Sequence, residues 1–316
     1  LTRDYGHLSA SLFHLDHVLA QTPDHIDAHF ERAQIKLRNQ QFSDGFEEFE
    51  WRLKKDNAPC WKVAPELKKG EAIKGKKLFI YGEQGAGDIL HFSRYLDILT
   101  QNGASFLLKC HASLLPYFHA QNIPASAFDE VLIENFDLQC PHLSLPYRLE
   151  IDEKTFVSPS STPTRKPVRK IGLCWSGSPN FTNNHLRSPA LHYFKKLEAF
   201  SQFQWFSLLP RQTLHERPFH QLKETLNHDA SYLDTVALMK EMDLIISVDT
   251  SSAHLAGQLN CPTWLLLHFP ADWRWFHDAD RSTLYPSFRI FKQKAAHTWD
   301  EVFERLFFSL NELIND

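Results

Sequence analysis

Cysteine is scarce in this sequence of 316 residues, and the five that occur, Cys60, Cys110, Cys140, Cys174 and Cys261, are scattered, odd in number and without a CxxC pair. That excludes a disulfide framework and a structural zinc site, and it fits a reducing compartment, so a cytoplasmic protein is expected. Long apolar runs are also missing; a stretch such as 264–267 is far too short to cross a bilayer. The first residues lack a signal-peptide pattern. A basic excess is absent as well, with 34 Lys and Arg against 38 Asp and Glu and a net charge of -4, which argues against a general nucleic-acid binder. Any phosphate must be held locally.

What is present suits a folded protein of more than one domain. Hydrophobic residues make up 43% and charged residues 23%, and the length allows two lobes and an appendage. The first part is periodic. Leu8, Leu12, Leu15 and Leu19 share one helix face, and Phe42, Phe46, Phe49 and Leu53 repeat the spacing 34 positions later. Between them Ile26, Phe30, Ala33 and Leu37 give the same pattern after a Pro23-Asp24 start signal. An ordinary helical hairpin would show this spacing too. A period of 34 resembles the tetratricopeptide repeat, with Ala10, Pro23, Ala28 and Gly45 near its small-residue and proline positions. Because such repeats are stable only when stacked, others are expected before Leu1, or these helices lean on the next domain. His14, His17, His25 and His29 share no common site and are expected at the surface.

From residue 76 the pattern changes to short buried strands separated by helix-length stretches, as in a parallel α/β sheet. Strands are expected over 77–81, 105–109 and 130–133 (EVLI), with a helix over 89–99. Residues 153–170 (EKTFVSPSSTPTRKPVRK) have linker composition. A second series follows at 170–175, 205–209, 244–248 and 263–267, and residues 298–313 form an amphipathic helix with a Thr298 cap, expected to pack back across both lobes. The boundaries are a helical repeat segment at 1–60, a Rossmann-like lobe at 61–160, a second at 161–297 and a final helix at 298–316.

Two loops carry candidate chemistry. Tyr81-Gly82-Glu83-Gln84-Gly85-Ala86-Gly87-Asp88 joins a strand to a helix, and glycines such as Gly85 and Gly87 let a ligand approach the backbone closely. Asp88 is either a helix cap or a general base for an acceptor hydroxyl. In Val248-Asp249-Thr250-Ser251-Ser252-Ala253-His254-Leu255 a strand runs into small hydroxyl residues at a helix start. Thr250, Ser251 and Ser252 suit a diphosphate there, Asp249 can order the turn, and His254 is either packed or ligand-facing. The string Asp278-Ala279-Asp280 has the form of a metal motif but does not follow a strand end, and Asp234 is expected to cap a helix over 235–241.

GEQGAGD together with VDTSSAHLAG resembles the heptosyltransferase-like glycosyltransferases, whose second motif reads Asp-Thr-Gly-x-x-His-Leu-Ala. Asp249, Thr250, His254, Leu255 and Ala256 match it, and Ser251 departs from its glycine. Adding Trp175-Ser176-Gly177-Ser178-Pro179, Asp272-Trp273-Arg274-Trp275 and Leu284-Tyr285-Pro286-Ser287-Phe288-Arg289, nearly the whole chain resembles bacterial tetratricopeptide-repeat proteins bearing such a transferase domain. These are distant relatives of the O-linked N-acetylglucosaminyltransferases. The resemblance implies a two-lobed, metal-independent glycosyltransferase without cofactor, with Asp88 as base and Arg187 facing the donor phosphates. Ser176 and Gly177 would join Gly85, Gly87, Asp249, Thr250, Ser251, Ser252 and His254 at the nucleotide-sugar donor, and Trp273 and Arg274 would flank its cleft. The repeats would present a protein acceptor. A sugar-nucleotide epimerase, or a non-catalytic scaffold that binds a nucleotide sugar, are the alternatives.

Overall fold

The computed structural model describes residues 8–131, 134–151, 167–179, 181, 183–210, 217–276, 280–296 and 298–315. Three helices come first, α1 (Leu8–Gln21), α2 (Ile26–Arg38) and α3 (Phe42–Phe49), then a 3-10 turn at Glu50–Lys54. The 4-3-4 spacing places Leu15, Leu19, Ala33, Leu37, Phe42, Phe46 and Phe49 on inward faces, and all are buried. The cap of α2 is His25 rather than Pro23-Asp24: its Nδ1 accepts the Ala28 N–H at 3.2 Å. His29 is no simple surface residue either, because its ring stacks on Trp51 at 3.7 Å and contacts Glu48 at 2.7 Å.

Two parallel sheets follow. The first has β1 (Lys77–Tyr81), β2 (Ser105–Cys110), β3 (Ala125–Ala127) and β4 (Leu138–Pro141) in the order β3-β2-β1-β4. Its helices are α4 (Ala86–Phe92), α5 (Leu96–Gln101), α6 (Leu115–Ala120) and α7 (Leu145–Arg148). The helix expected over 89–99 is therefore α4 and α5 joined by a 3-10 turn at Ser93–Tyr95, where Ser93 Oγ donates to Leu90 O at 2.8 Å. The strand expected at 130–133 is not one at Glu130 and Val131, and 132–133 lie outside the described residues. Glu130 closes β3 instead: its carboxylate accepts Ser126 Oγ at 2.5 Å and Ala127 N at 3.2 Å, while its carbonyl accepts Lys109 Nζ at 2.6 Å.

The second sheet has β5 (Lys170–Cys174), β6 (Gln204–Ser207), β7 (Leu244–Val248), β8 (Thr263–Leu267) and β9 (Phe288–Lys292), in the order β6-β5-β7-β8-β9, again all parallel. Both faces are covered, so side chains alternate between two cores. Ile171, Leu173, Leu244, Ile246, Val248, Trp264 and Leu266 point to one, and Cys174, Ile245, Leu265 and Leu267 to the other. α8 (Asn184–Arg187), α9 (Leu191–Lys195), α10 (Tyr232–Lys240) and α11 (Ser251–Gln258) connect these strands. Ser231 is the N-cap of α10 and Asp234 completes its capping box, accepting Ser231 N at 2.8 Å. In the final helix α12 (Trp299–Asn315), Trp299, Val302, Phe303, Leu306 and Leu310 pack into the core on one face of the second sheet. The apolar stripe of α12 meets the face carrying Trp205, Trp264 and Phe291. Most of the linker region, 152–166, lies outside the described residues. No helix among the described residues is long and apolar enough to cross a membrane.

The helical segment shares one continuous core with both lobes, from Leu37 and Phe46 through Leu90 and Phe92 to Leu267 and Trp273. Its most buried charge is Arg52. That guanidinium donates to Glu83 Oε2 at 2.7 Å and to Ser144 Oγ at 2.7 Å, and it pairs with Glu50 at 2.9 Å. Glu83 belongs to the glycine-rich loop, so the pair fastens the helical segment to that loop. Arg52→Ala leaves Glu83 buried without its cation and is expected to cost about 3–5 kcal/mol. Urea unfolding checks this; a loss below about 1 kcal/mol would place the pair among bridges that contribute little.

Candidate functional site

The loop after β1 delivers Gly85 as the N-cap of α4 and Asp88 as its third residue. Asp88 Oδ2 accepts the Gly85 N–H at 3.2 Å, which is the capping role. Its other oxygen does more: Oδ1 accepts Nη2 of Arg274, from the second lobe, at 2.6 Å. Asp88 therefore points into the gap between the lobes. From the far side Asp249 follows the end of β7 directly, and Thr250 is the extended N-cap of α11. The starts of α4 and α11 abut, since a Cβ on Gly87 would lie 3.2 Å from His254 Cδ2 and 3.4 Å from Ser251 Cα. Any larger side chain at 87 would wedge the lobes apart.

Arg274 sits on a 3-10 turn, Trp273–Trp275, capped by Asp272, whose Oδ1 accepts the Arg274 backbone N–H at 3.0 Å and Nη1 at 2.8 Å. Three residues per turn send three consecutive side chains in three directions. Trp273 meets Phe46 at 5.9 Å and Phe49 at 6.3 Å in the helical segment. Arg274 meets Asp88 in the first lobe, and Trp275 stacks on His254 at 5.3 Å and Phe288 at 6.1 Å in the second. Of the two residues expected to flank a donor cleft, Arg274 faces the gap. Trp273 packs against the aromatic wall of Phe46 and Phe49, with the Arg274 guanidinium over its ring at 4.6 Å.

Burial dominates the electrostatics. It lifts the Asp88 carboxyl above the usual aspartate range, with Arg274 pulling the other way. Asp249 is pushed up to about 6 by burial and by the like charge of Asp272, while the Trp275 indole, Arg187 and Arg274 oppose the rise. Burial also acts on Asp272, but the charge and hydrogen bonds of Arg274 outweigh it and hold that carboxyl low. Arg274 itself is held firmly as a cation by Asp272 and Asp88, which overcome its burial. Its Nε, and Nδ1 of His268, are buried without a hydrogen-bond partner among the described residues.

The remaining expected residues divide. Ser176 and Gly177 follow β5, and Arg187 folds back over Gly177, where a Cβ would lie 2.7 Å from its Nε. The guanidinium also donates to Asn184 Oδ1 at 3.2 Å and covers the Phe181 ring at 4.2 Å. Burial lowers its pKa and Asp249 raises it, so its charge faces the site. Thr250 Oγ1 lies 3.5 Å from Cys174 Sγ, Ser251 Oγ accepts the Tyr232 hydroxyl at 2.8 Å, and Ser252 is buried. His254 is packed: its Nδ1 lies 3.0 Å from the Tyr285 hydroxyl, which also lies 3.2 Å from His91 Nδ1 in the first lobe. The Arg94 guanidinium lies over the ring of that phenol at 4.8 Å. Burial drives His254 down to about 3 and His91 well below its usual value, so both rings are neutral. The roles of Asp272, His91 and Tyr285 have no local signal; Asp272 and Tyr285 lie in motifs whose partners are distant in sequence.

Asp278 and Ala279 lie outside the described residues. Asp280 borders a cavity of about 370 Å³ with Arg289 and Arg305 beside α12, and none of the candidate site residues lines it. Among the described residues no group of three or more His, Cys, Asp or Glu could hold a metal ion.

No protein-family model and no curated protein matches this chain. Solved structures do. The iron-containing dodecameric glycosyltransferase TibC of enterotoxigenic E. coli is 14% identical, with a TM-score of 0.48, covering 78% of this chain and 76% of its own. The ADP-heptose lps heptosyltransferase II of E. coli is 13% identical, with a TM-score of 0.48 over 75% and 99%. A glycosyl transferase family 9 protein of Veillonella parvula is 10% identical, with a TM-score of 0.47 over 77% and 98%. These similar structures are glycosyltransferases; at such identities and scores they assign no activity to this chain.

The raised Asp249 gives a pH test. As pH rises from about 4 to about 6 the unfolded chain releases this proton before the folded chain, so this group's contribution to stability falls across that window. Asp249→Asn removes the effect, and its melting temperature should exceed the wild type's by a margin that grows to a few degrees between pH 4 and 6.5. A margin independent of pH would show that Asp249 titrates normally.

Proposed function

We propose that this chain transfers a sugar from a nucleoside diphosphate sugar to a hydroxyl group. The observation that carries the proposal is Asp88 facing Arg274 where the start of α11 meets the start of α4. In this reading Asp88 accepts the acceptor's hydroxyl proton and the freed oxygen attacks the anomeric carbon. The bond from that carbon to the diphosphate oxygen breaks, and its electron pair leaves with the nucleoside diphosphate. A carboxyl lifted by burial suits a base working near neutral pH. Arg274, Arg187 and the N–H groups at the α11 start supply the positive field a leaving diphosphate needs, so no metal is required for charge neutralisation. Residues 61–160 are taken as the acceptor lobe and 161–297 as the donor lobe. The period of 34 supports reading the first helices as tetratricopeptide-like, presenting a polypeptide acceptor, and the free cysteines support a reducing, cytoplasmic setting.

A melting-temperature screen with UDP-, GDP-, ADP- and CMP-linked sugars tests this. At a hundredfold excess over Kd a donor stabilises the native state by about 2.7 kcal/mol, a rise of several degrees. Arg187→Ala should shrink the rise. Asp88→Asn should keep it and lose transfer by about 10²–10⁴-fold. No response to any donor would overturn the proposal, and turnover of donor without acceptor would indicate an epimerase.

A further inference from the structure

The helical segment holds both loops that meet at the site. Arg52 grips Glu83, five residues before Asp88 in the glycine-rich loop. On the other side Arg38, at the end of α2, is 6% exposed and donates through Nη2 to the carbonyl of Ala271. Ala271 immediately precedes Asp272 and the turn that presents Arg274. Phe42 meets Phe276 edge-on at 5.9 Å, and Phe46 meets Trp273 at 5.9 Å, so the same helices brace both ends of that turn. The positive charge of Arg38 also acts on Asp272 and His268.

We propose that Arg38 is a positioning residue for sugar transfer: by holding the Ala271 carbonyl it sets the turn from which Arg274 reaches Asp88, making the helical segment part of the site. This rests on Asp88 and Arg274 acting as described under the proposed function. In this proposal Arg38 acts through the turn and not on donor or acceptor. A buried guanidinium that saturates one carbonyl fixes backbone position with a charged hydrogen bond, and losing it lets the 3-10 turn rotate. A displacement of about 1 Å at a reacting group can cost about a hundredfold in rate.

The test uses the full chain carrying Arg38→Ala, Arg38→Lys or Arg38→Gln, with Leu19→Ala, in the separate α1–α2 cluster, as a control for general destabilisation. Without ligand, amide hydrogen exchange should rise at 271–276 and 86–92 in Arg38→Ala and not in Leu19→Ala. With ADP- and UDP-linked sugars, Arg38→Ala should keep most of the donor-induced melting shift while kcat falls about 10- to 100-fold, and Arg38→Lys should recover most of that loss. Exchange at 271–276 unchanged in Arg38→Ala, or transfer at the wild-type rate, overturns the assignment. Should Arg38→Ala fail to fold, Arg38→Gln, a polar side chain two atoms too short for the contact that Nη2 makes with Ala271, is judged by the same two readouts. A wild-type chain that answers to no nucleotide sugar defeats the proposed function, while the exchange measurement still decides the place of Arg38.

Discussion

One buried cation governs this structure. Arg274 lies where helical segment, first lobe and second lobe meet, and a guanidinium there is tolerable only with carboxylates against it. Asp88 comes from one lobe and Asp272 from the other, so the pairing that satisfies the charge also ties the lobes together. Asp249 is affected in turn: burial first, and then the like charge of Asp272, lift its carboxyl to about 6. The abutting helix starts, the bare Gly87 and the stacked Trp275 pack closely around the Arg274 guanidinium, and a low-polarity setting makes its charge count for more.

The helices before the first sheet are more than an appendage. A two-lobed chain whose sheets pack only through a pair of short helices could open by hinging, as such domains commonly do. Here Arg52 and Arg38, 14 positions apart in sequence, reach loops of different lobes, and the aromatic wall of Phe42, Phe46 and Phe49 fills the space between. Both grips are backed by burial, so opening the gap means exposing apolar surface as well as parting charges.

Legibility from sequence followed the range of the interactions involved. β1, β7 and β8 were visible to the residue because dense β-branched and aromatic runs report burial on both faces. β3, reading Ala-Ser-Ala, β4, which ends in proline, and β9, which carries Arg289 and Lys292 at a sheet edge, have none of that signal. EVLI had the composition of a strand, yet the carboxylate of Glu130 closes the end of β3 instead. In the site, the glycine-rich turn and the Asp249–Ser252 run were readable because a turn and a helix start are local events. The partners were not: Asp88 meets Arg274 across 186 positions and Arg38 meets Ala271 across 233. Trp273 and Arg274, adjacent in sequence, meet different elements because a 3-10 turn rotates about 120° per residue: Trp273 reaches Phe46 and Phe49, and Arg274 reaches Asp88.

The Tyr285 phenol imposes a last constraint. Its oxygen carries one proton and two lone pairs, and its two imidazole neighbours come from different lobes: His91 Nδ1 at 3.2 Å from the first and His254 Nδ1 at 3.0 Å from the second. The hydroxyl has a single proton to give, so at most one of the two neutral rings can present a bare Nδ1 to it, and at least one must carry its proton there. A choice of tautomer made in the first lobe therefore limits, through a single hydroxyl, the choice open to the second.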